Sequence, residues 1–161
     1  MELEMKIKGL MIDPITQMPI IILRDPNSSA VLPIWVGIFE ANAIALQIEK
    51  IATPRPMTHD LLKSAIQGLE ASVEKVLITD LKENTFYALI YLKHQGRMMP
   101  IDSRPSDAIA LALRTGSPIF VNAEVIDKAK NTDMTRDAGE SERIRKWLDS
   151  LDPDDLGKYK M

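Results

Sequence analysis

The segment RMMPIDSRPSDAIALALR, residues 97–114, passes from a strand pattern to a helix pattern and so decides the fold class. Residues 97–102 follow a Gln-Gly turn and are predicted to form a strand. Residues 105–114, rich in alanine and leucine, are predicted to form a helix that Gly116 ends. A strand followed directly by a buried helix indicates a domain that combines sheet and helices.

The residues upstream begin with a predicted meander of three strands at 2–12, 18–23 and 31–36. Pro33 indicates that the third strand lies at a sheet edge or contains a bulge, because proline cannot donate to a sheet ladder. The pattern then becomes helical over residues 37–51, with apolar side chains on two faces. Thr58 is predicted to cap a second helix, whose core stripe consists of Leu61, Leu62, Ala65, Ile66 and Leu69.

The remaining elements are a hairpin at residues 72–81 and 85–92, a short strand at 118–121 and a short helix at 123–129. Residues 1–130 are therefore predicted to form one α+β domain, a mixed or antiparallel sheet with packed helices. Residues 131–161 are predicted to contain a linker, starting near residue 130, and an amphipathic C-terminal helix around residues 144–151.

One internal repeat is visible in the sequence. LPI at residues 32–34 is followed by AIAL at 43–46, and MPI at 99–101 is followed by AIAL at 108–111. The repeat predicts a degenerate duplication of a strand–helix unit.

Composition excludes several functional classes. The 161 residues contain no cysteine, which excludes disulfides, thiol catalysis and thiolate metal sites. The longest aliphatic run has four residues, 20–23, and the N-terminus has no secretory pattern, so we expect a cytoplasmic protein without membrane contact. The net charge is −3. A chain of this charge that binds nucleic acid needs a local basic patch or a bound cation.

The first polar segment is TPRPMTHD, residues 53–60. The two prolines hold Arg55 in an extended backbone, and its guanidinium suits bidentate contact with a phosphate or carboxylate. Helix capping is the alternative interpretation, because Thr58 and Asp60 are typical of a helix start. Capping accounts poorly for Arg55 and His59, which keeps both as candidate functional residues.

The second polar segment is DSRPSD, residues 102–107. Arg104 and Asp107 form either a solvated ion pair or the lining of a cleft, in which Asp107 serves as base or metal ligand and Arg104 neutralises an oxyanion. Asp102 and Asp107 place two carboxylates around a helix start, where Mg²⁺ or Mn²⁺ prefers oxygen ligands. Glu40 is paired with an arginine, exposed, or a third carboxylate if the fold brings it to this segment.

Three stretches together resemble the bifunctional nuclease domain family of bacteria and plants. They are LPIWVG at residues 32–37 leading into Glu40, PRPMTHDL at 54–61, and DSRPSDAIAL at 102–111. The resemblance covers about residues 3–130. It implies an α+β domain that forms a homo-oligomer and has DNase and RNase activity.

By motif position the resemblance implies seven site residues: Glu40, Arg55, His59, Asp60, Asp102, Arg104 and Asp107. The resulting hypothesis is a divalent-metal-dependent nuclease acting on DNA or RNA. Its catalytic residues are His59, Asp60 and Asp107, its substrate-binding residues are Arg55 and Arg104, and its Mg²⁺ or Mn²⁺ ligands are Glu40, Asp102 and Asp107. The alternative hypothesis is a non-catalytic, oligomeric binding or regulatory module. It is favoured because a helix with two apolar faces needs a partner to cover the second face.

Overall fold

Seven strands and four helices alternate irregularly in the computed structural model, which describes residues 1–135 and the side chains of residues 1–131. The combination of one mixed sheet with packed helices confirms the predicted α+β class. In chain order the elements are β1 (Glu2–Ile12), β2 (Pro19–Arg24), β3 (Val31–Trp35), α1 (Ile38–Ile48), α2 (Thr58–Gly68), β4 (Ser72–Lys82), β5 (Thr85–His94), β6 (Arg97–Ser103), α3 (Pro105–Thr115), β7 (Ile119–Asn122) and α4 (Ala123–Thr135).

The strands form one sheet in the order β3-β2-β1-β7-β4-β5-β6. All neighbours are antiparallel except β4 and β7, which are parallel. Strand β1 spans both halves of the sheet, since residues 2–5 pair with β7 and residues 6–12 pair with β2.

Both edge strands contain a proline, Pro33 in β3 and Pro100 in β6. Proline removes one backbone donor, so it discourages a further strand from pairing at either edge. Of the two alternatives predicted for β3, an edge position or a bulge, the structure shows the edge position. The two units of the predicted duplication, β3–α1 and β6–α3, are each an edge strand followed by a helix of 11 residues. The duplication itself stays a prediction.

Helix α3 lies at the centre of the helical layer and contacts α1, α2, β4 and β5. It begins with Pro105 and ends at Gly116, whose left-handed backbone (φ 68°) ends the helix as predicted. Residues 108–112 (AIALA) are fully buried, and their alanines allow neighbouring helices to approach closely. This helix is the core element on which the polar segments converge.

The predicted core stripe of α2 is wrong. Of its residues only Ile66 is buried, while the side chains of Leu61 and Leu69 are 62% and 72% exposed. The helix packs mainly against α3, and a contact with one helix buries only a narrow line of side chains. Thr58 is also not the cap: it is the first helical residue, and Met57 occupies the N-cap position.

Helix α4 is longer than predicted and continues to Thr135, so residues 130–135 are helical rather than linker. The predicted C-terminal helix around residues 144–151 lies outside the described residues. None of the helices in the described part of the chain is both long enough and apolar enough to cross a bilayer.

Two turns with the same hydrogen-bond pattern connect the first three strands. In the β1–β2 turn the carboxylate of Asp13 accepts hydrogen bonds from the Ile15 amide (2.9 Å) and the Thr16 hydroxyl (2.8 Å). In the β2–β3 turn the carboxylate of Asp25 accepts from the Asn27 amide and the Ser28 hydroxyl, both at 2.8 Å. Only Asp13 accepts a third bond, from the Trp35 indole of β3 (2.8 Å).

The extra bond matters because Asp13 is buried. Burial alone would raise the pKa of Asp13, but the hydrogen bonds from Trp35, Ile15 and Thr16 outweigh it and lower the pKa. The stability contributed by ionised Asp13 is therefore present above its ordinary pKa of 3.8 and is lost as the pH falls through the lowered value.

We expect Asp13→Asn to lower the free energy of unfolding by about 1–3 kcal/mol at neutral pH. The oxygen of the asparagine amide can still accept from the Ile15 amide. Its NH₂ group then faces the Trp35 indole N–H, which loses its acceptor. Urea unfolding followed by circular dichroism measures the change.

Asp25→Asn is the matched control, because the Ser28 hydroxyl can reverse its role and accept from the new amide. We expect a smaller loss for Asp25→Asn. Equal losses in the two variants would contradict the role given to the Trp35 bond.

Candidate active site

Asp107, in the first turn of α3, is the centre of a polar cluster. Its Oδ1 lies 2.9 Å from Nε2 of His59, and its Oδ2 accepts a hydrogen bond of 2.9 Å from Nε of Arg104. Arg104 is the extended N-cap residue directly before Pro105, which directs its side chain back over the first turn of α3. The carboxylate is thus held on both oxygens by groups from two different elements.

His59 comes from the first turn of α2, 48 residues earlier in the chain. Its side chain is only 13% exposed, so the imidazole is largely removed from water while it faces Asp107. The two polar segments of the sequence therefore lie side by side. The short separation reflects the direct packing of α2 on α3.

Glu40 enters the cluster from the first turn of α1. Its Oε1 accepts a hydrogen bond of 3.0 Å from Nη1 of Arg104. Its carboxylate folds back over Gly37, so a Cβ at that position would force the Glu40 carboxylate to move. Pairing with an arginine, one of the alternatives given for Glu40, is the arrangement observed.

The charges of the cluster fix its hydrogen-bond directions. Burial alone would raise the pKa of Asp107, but the hydrogen bonds from His59 and Arg104 and the charge of Arg104 outweigh it and lower the pKa. Asp107 in turn raises the pKa of Arg104. Because Asp107 is ionised at neutral pH, it accepts and Nε2 of His59 donates, which leaves Nδ1 of His59 as the nitrogen that can take a proton.

Asp60 faces a different partner from His59, although the two are adjacent in sequence. It accepts hydrogen bonds from the Met57 amide (2.9 Å) and from Nε of Arg114 (2.8 Å). The bond from Met57 is the main reason that the pKa of Asp60 is lowered, and Arg114 adds to it against the effect of burial. Asp60 therefore holds the start of α2 and an arginine of α3 together.

Arg114 is a residue that the sequence-based site prediction omitted. Its side chain is 2% exposed, and it also donates to the carbonyl oxygens of Ala110 (2.9 Å) and Ala43 (3.0 Å). The signal for it was its position on the same helical line as Arg104 and Asp107, on a helix that is otherwise mostly apolar. An arginine there is either solvated or fully paired, and here it is fully paired.

A cavity of about 300 Å³ lies beside this second pair, bounded by the end of α1, by residues 51–56 and by α2. Asp60, Arg114 and Arg55 are among the residues that line it. Within the described part of the chain the guanidinium of Arg55 makes no ion pair or side-chain hydrogen bond, and Arg55 is exposed. It is available to a ligand in the cavity.

Among the residues that the structure describes, Asp102 forms no side-chain hydrogen bond or ion pair with the cluster; it is exposed on β6. The other predicted metal ligands, Glu40 and Asp107, both face Arg104. Among the described residues no group of three or more histidine or acidic side chains is placed to hold a metal ion. At most two such side chains of the described residues could therefore share one ion. Magnesium sites in which one or two carboxylates and substrate phosphates share the ion need fewer protein ligands.

Comparison with known proteins gives two kinds of relatives. The uncharacterized protein Rv1829 of Mycobacterium tuberculosis is 38% identical over 95% of this chain and 97% of that protein. Bifunctional nuclease 1 of Oryza sativa subsp. indica is 28% identical over 66% of this chain, and Bifunctional nuclease 2 of Arabidopsis thaliana is 26% identical over 72%. The aligned region spans 33% and 39% of these plant proteins.

The profile of the family described as "Bifunctional nuclease domain" matches residues 21–133. The match contains β3 to β7 with most of β2, and so includes every residue of the polar cluster and of the Asp60–Arg114 pair. The chain belongs to the bifunctional nuclease domain family.

Proposed function

We propose that the protein is a nuclease that hydrolyses phosphodiester bonds of DNA and RNA at the cluster around Asp107. The observation that carries the proposal is the 2.9 Å contact between His59 and an ionised Asp107, with Arg104 on the second carboxylate oxygen. A histidine held by a carboxylate is a general base whose tautomer and orientation are fixed. Family membership supports the same reaction.

In the proposed reaction a water molecule attacks the phosphorus atom while Nδ1 of His59 takes its proton. The new P–O bond forms as the bond to the leaving sugar oxygen breaks, and the proton held by His59 returns to that oxygen. Asp107 stabilises the imidazolium that exists between these two transfers, since its carboxylate already accepts from Nε2.

Two arginines are proposed to bind the phosphates. Arg104 uses Nε and Nη1 for Asp107 and Glu40, its side chain is 65% exposed, and its Nη2 has no protein partner among the described residues. That nitrogen can donate to a phosphate oxygen as negative charge develops. Arg55 is proposed to hold an adjacent phosphate at the cavity next to Asp60.

The proposal includes Mg²⁺ or Mn²⁺ only as an ion that binds together with substrate. When bound, such a cation neutralises phosphate charge. Of the three predicted ligands only Asp102 has a carboxylate that is not directed at Arg104. The protein residues carry every proton transfer described above.

We expect His59→Gln and Asp107→Asn each to lower kcat by about 10²–10⁴-fold with a smaller change in KM, because a general base contributes about that factor to the chemical step. Cleavage of a fluorescent single-stranded DNA and a matched RNA, with all variants purified in parallel, measures the effect. His94→Gln is the matched control, since it makes the same chemical change in a histidine at the far end of β5. Wild-type rates in His59→Gln would remove the site assignment.

We expect chelation by EDTA to abolish cleavage, whereas Mn²⁺ binds only weakly to the free protein, because the described residues lack a three-ligand site. Calorimetric titration of the protein with MnCl₂ in the absence of nucleic acid measures that binding. Full cleavage in EDTA would contradict the metal requirement, and stoichiometric micromolar binding would contradict a site shared with substrate.

A second candidate function, a non-catalytic oligomeric module, is favoured by exposed apolar side chains near the cluster. Phe39 on α1 is 88% exposed. Ile38, its neighbour in sequence, and Leu61 on α2 are also exposed. We expect self-association that Phe39→Ser weakens, measured by sedimentation velocity. A monomer at all concentrations would contradict the homo-oligomer prediction and leave the nuclease proposal intact. A cytoplasmic location belongs to both proposals.

A further inference from the structure

We infer that a basic depression on the β1–β2 hairpin binds backbone phosphates of nucleic acid at a surface separate from the Asp107 cluster. The depression, which we call the basic depression, is lined by Lys6, Ile7, Lys8, Arg24 and Pro26 and has a volume of about 350 Å³. None of these residues belongs to the cluster around Asp107 or lines the cavity at Arg55. The inference rests on the proposed function for the identity of its ligand.

Two of the cations are placed directly opposite each other. Lys6 of β1 pairs in register with Arg24 of β2, which brings their Cβ atoms within about 4.5–5.5 Å. Like charges at such a position destabilise a sheet, and the chain could avoid this cost with any neutral residue. A local cost of this kind is typical of a functional position. An anion bound between the two cations would neutralise their repulsion.

The third cation comes from an irregularity in the same strand. The register shifts between Ile7, which pairs with Leu23, and Gly9, which pairs with Ile22, so Lys8 is the extra residue of a bulge. Lys8 is two residues from Lys6, and residues at this spacing in a strand point to the same face of the sheet. Lys8 lines the same depression as Lys6 and Arg24.

No acidic residue lines the depression. Asp25, next to Arg24 in sequence, is buried and uses its carboxylate for the Asn27 amide and the Ser28 hydroxyl. Lys6 contacts Glu4 at 3.3 Å in an exposed pair, which contributes little and is easily exchanged. Within the described residues Lys8 and Arg24 have no ion pair.

A nucleic acid fits this surface better than a lipid membrane does. The cations surround a depression, into which a phosphate group can enter, and the apolar residues that line it, Ile7 and Pro26, do not form a protruding apolar face for insertion. The most exposed aromatic side chain of the described residues, Phe39, lies on α1 and not on this hairpin.

The test compares two triple variants of the full chain in a His59→Gln background, which prevents cleavage during the measurement. Lys6→Gln/Lys8→Gln/Arg24→Gln removes the basic depression, and Lys82→Gln/Lys93→Gln/Arg97→Gln removes the same charges from exposed positions of the β4–β5–β6 region. Fluorescence anisotropy with a labelled single-stranded oligonucleotide of about 20 nucleotides gives Kd between 50 and 200 mM salt.

We expect the first variant to reduce the magnitude of the slope of log K against log salt by about 0.7–1.4, because Lys6 and Arg24 share one phosphate, Lys8 contacts at most one more, and each lost phosphate contact on a single strand removes about 0.7. Between 50 and 200 mM salt, the loss of affinity of this variant should therefore be about 3- to 7-fold smaller than that of the parent. The control variant should keep the parent slope. Thermal melting should show an unchanged or raised Tm for the first variant, because the opposed cations are gone.

Equal slopes in the two triple variants would overturn the inference, as would a parent chain that binds no oligonucleotide. The same variants are also tested for binding to vesicles of phosphatidylserine and phosphatidylcholine. If the first variant lost vesicle binding but kept its oligonucleotide binding, the inference would be overturned in favour of a membrane surface. The proposed function is judged separately, by cleavage with the chain that retains His59. A slope change without any wild-type cleavage would leave the basic depression standing and remove the nuclease.

Discussion

The carboxylate of Asp107 is the contact on which the arrangement of the helices and the candidate active site both depend. It joins α3 to α2 through His59, and through Arg104 it joins α3 to Glu40 of α1. At the other end of α3, Arg114 joins the same helices, since it donates to Asp60 of α2 and to the carbonyl of Ala43 in α1. The middle of α3 is apolar and fully buried, so directional contacts that select one packing arrangement can form only at its ends.

Asp107 and Arg114 are seven residues apart, which places them about 10.5 Å apart along one side of the helix. Adjacent residues of α2, His59 and Asp60, reach these two positions. The first turn of α2 therefore crosses α3 between two polar anchors. The two arginines at the ends of α3 differ in their surroundings. Arg114 is almost completely buried and its three donating nitrogens are paired, which is the arrangement of a structural anchor. Arg104 is exposed and keeps one nitrogen for a ligand.

Much of this fold follows from the sequence, because its strands and helices differ in period and because glycine and proline mark their ends. Gly116 and Pro33 have the structural roles that their chemistry predicts. The apolar stripe of α2 shows the limit of that reasoning, since periodicity identifies a line of leucines but not whether another element covers it. Several polar residues that the structure brings together, Glu40, His59, Arg104 and Asp107, were singled out from the sequence, but their contacts were not predictable. His59 and Asp107 stand out by chemistry, yet their contact joins positions 48 residues apart and depends on how α2 crosses α3. Asp102 is separated from Asp107 because the strand ends and the helix begins between them.

The charges of the cluster impose a constraint on how a polyanion could be bound. Glu40 and Asp107 supply two negative charges and Arg104 one positive charge, so with a neutral imidazole the cluster has a net charge of −1. Such a cluster can stabilise charge that develops on one phosphate, but it does not attract a strand over distances comparable to the Debye length. In a chain with net charge −3, long-range attraction must come from cations that no nearby carboxylate neutralises. Arg55 beside the cavity, and Lys8 and Arg24 at the β1–β2 hairpin, have no ion pair within the described residues, so both of the proposed phosphate contacts lie where such attraction is available.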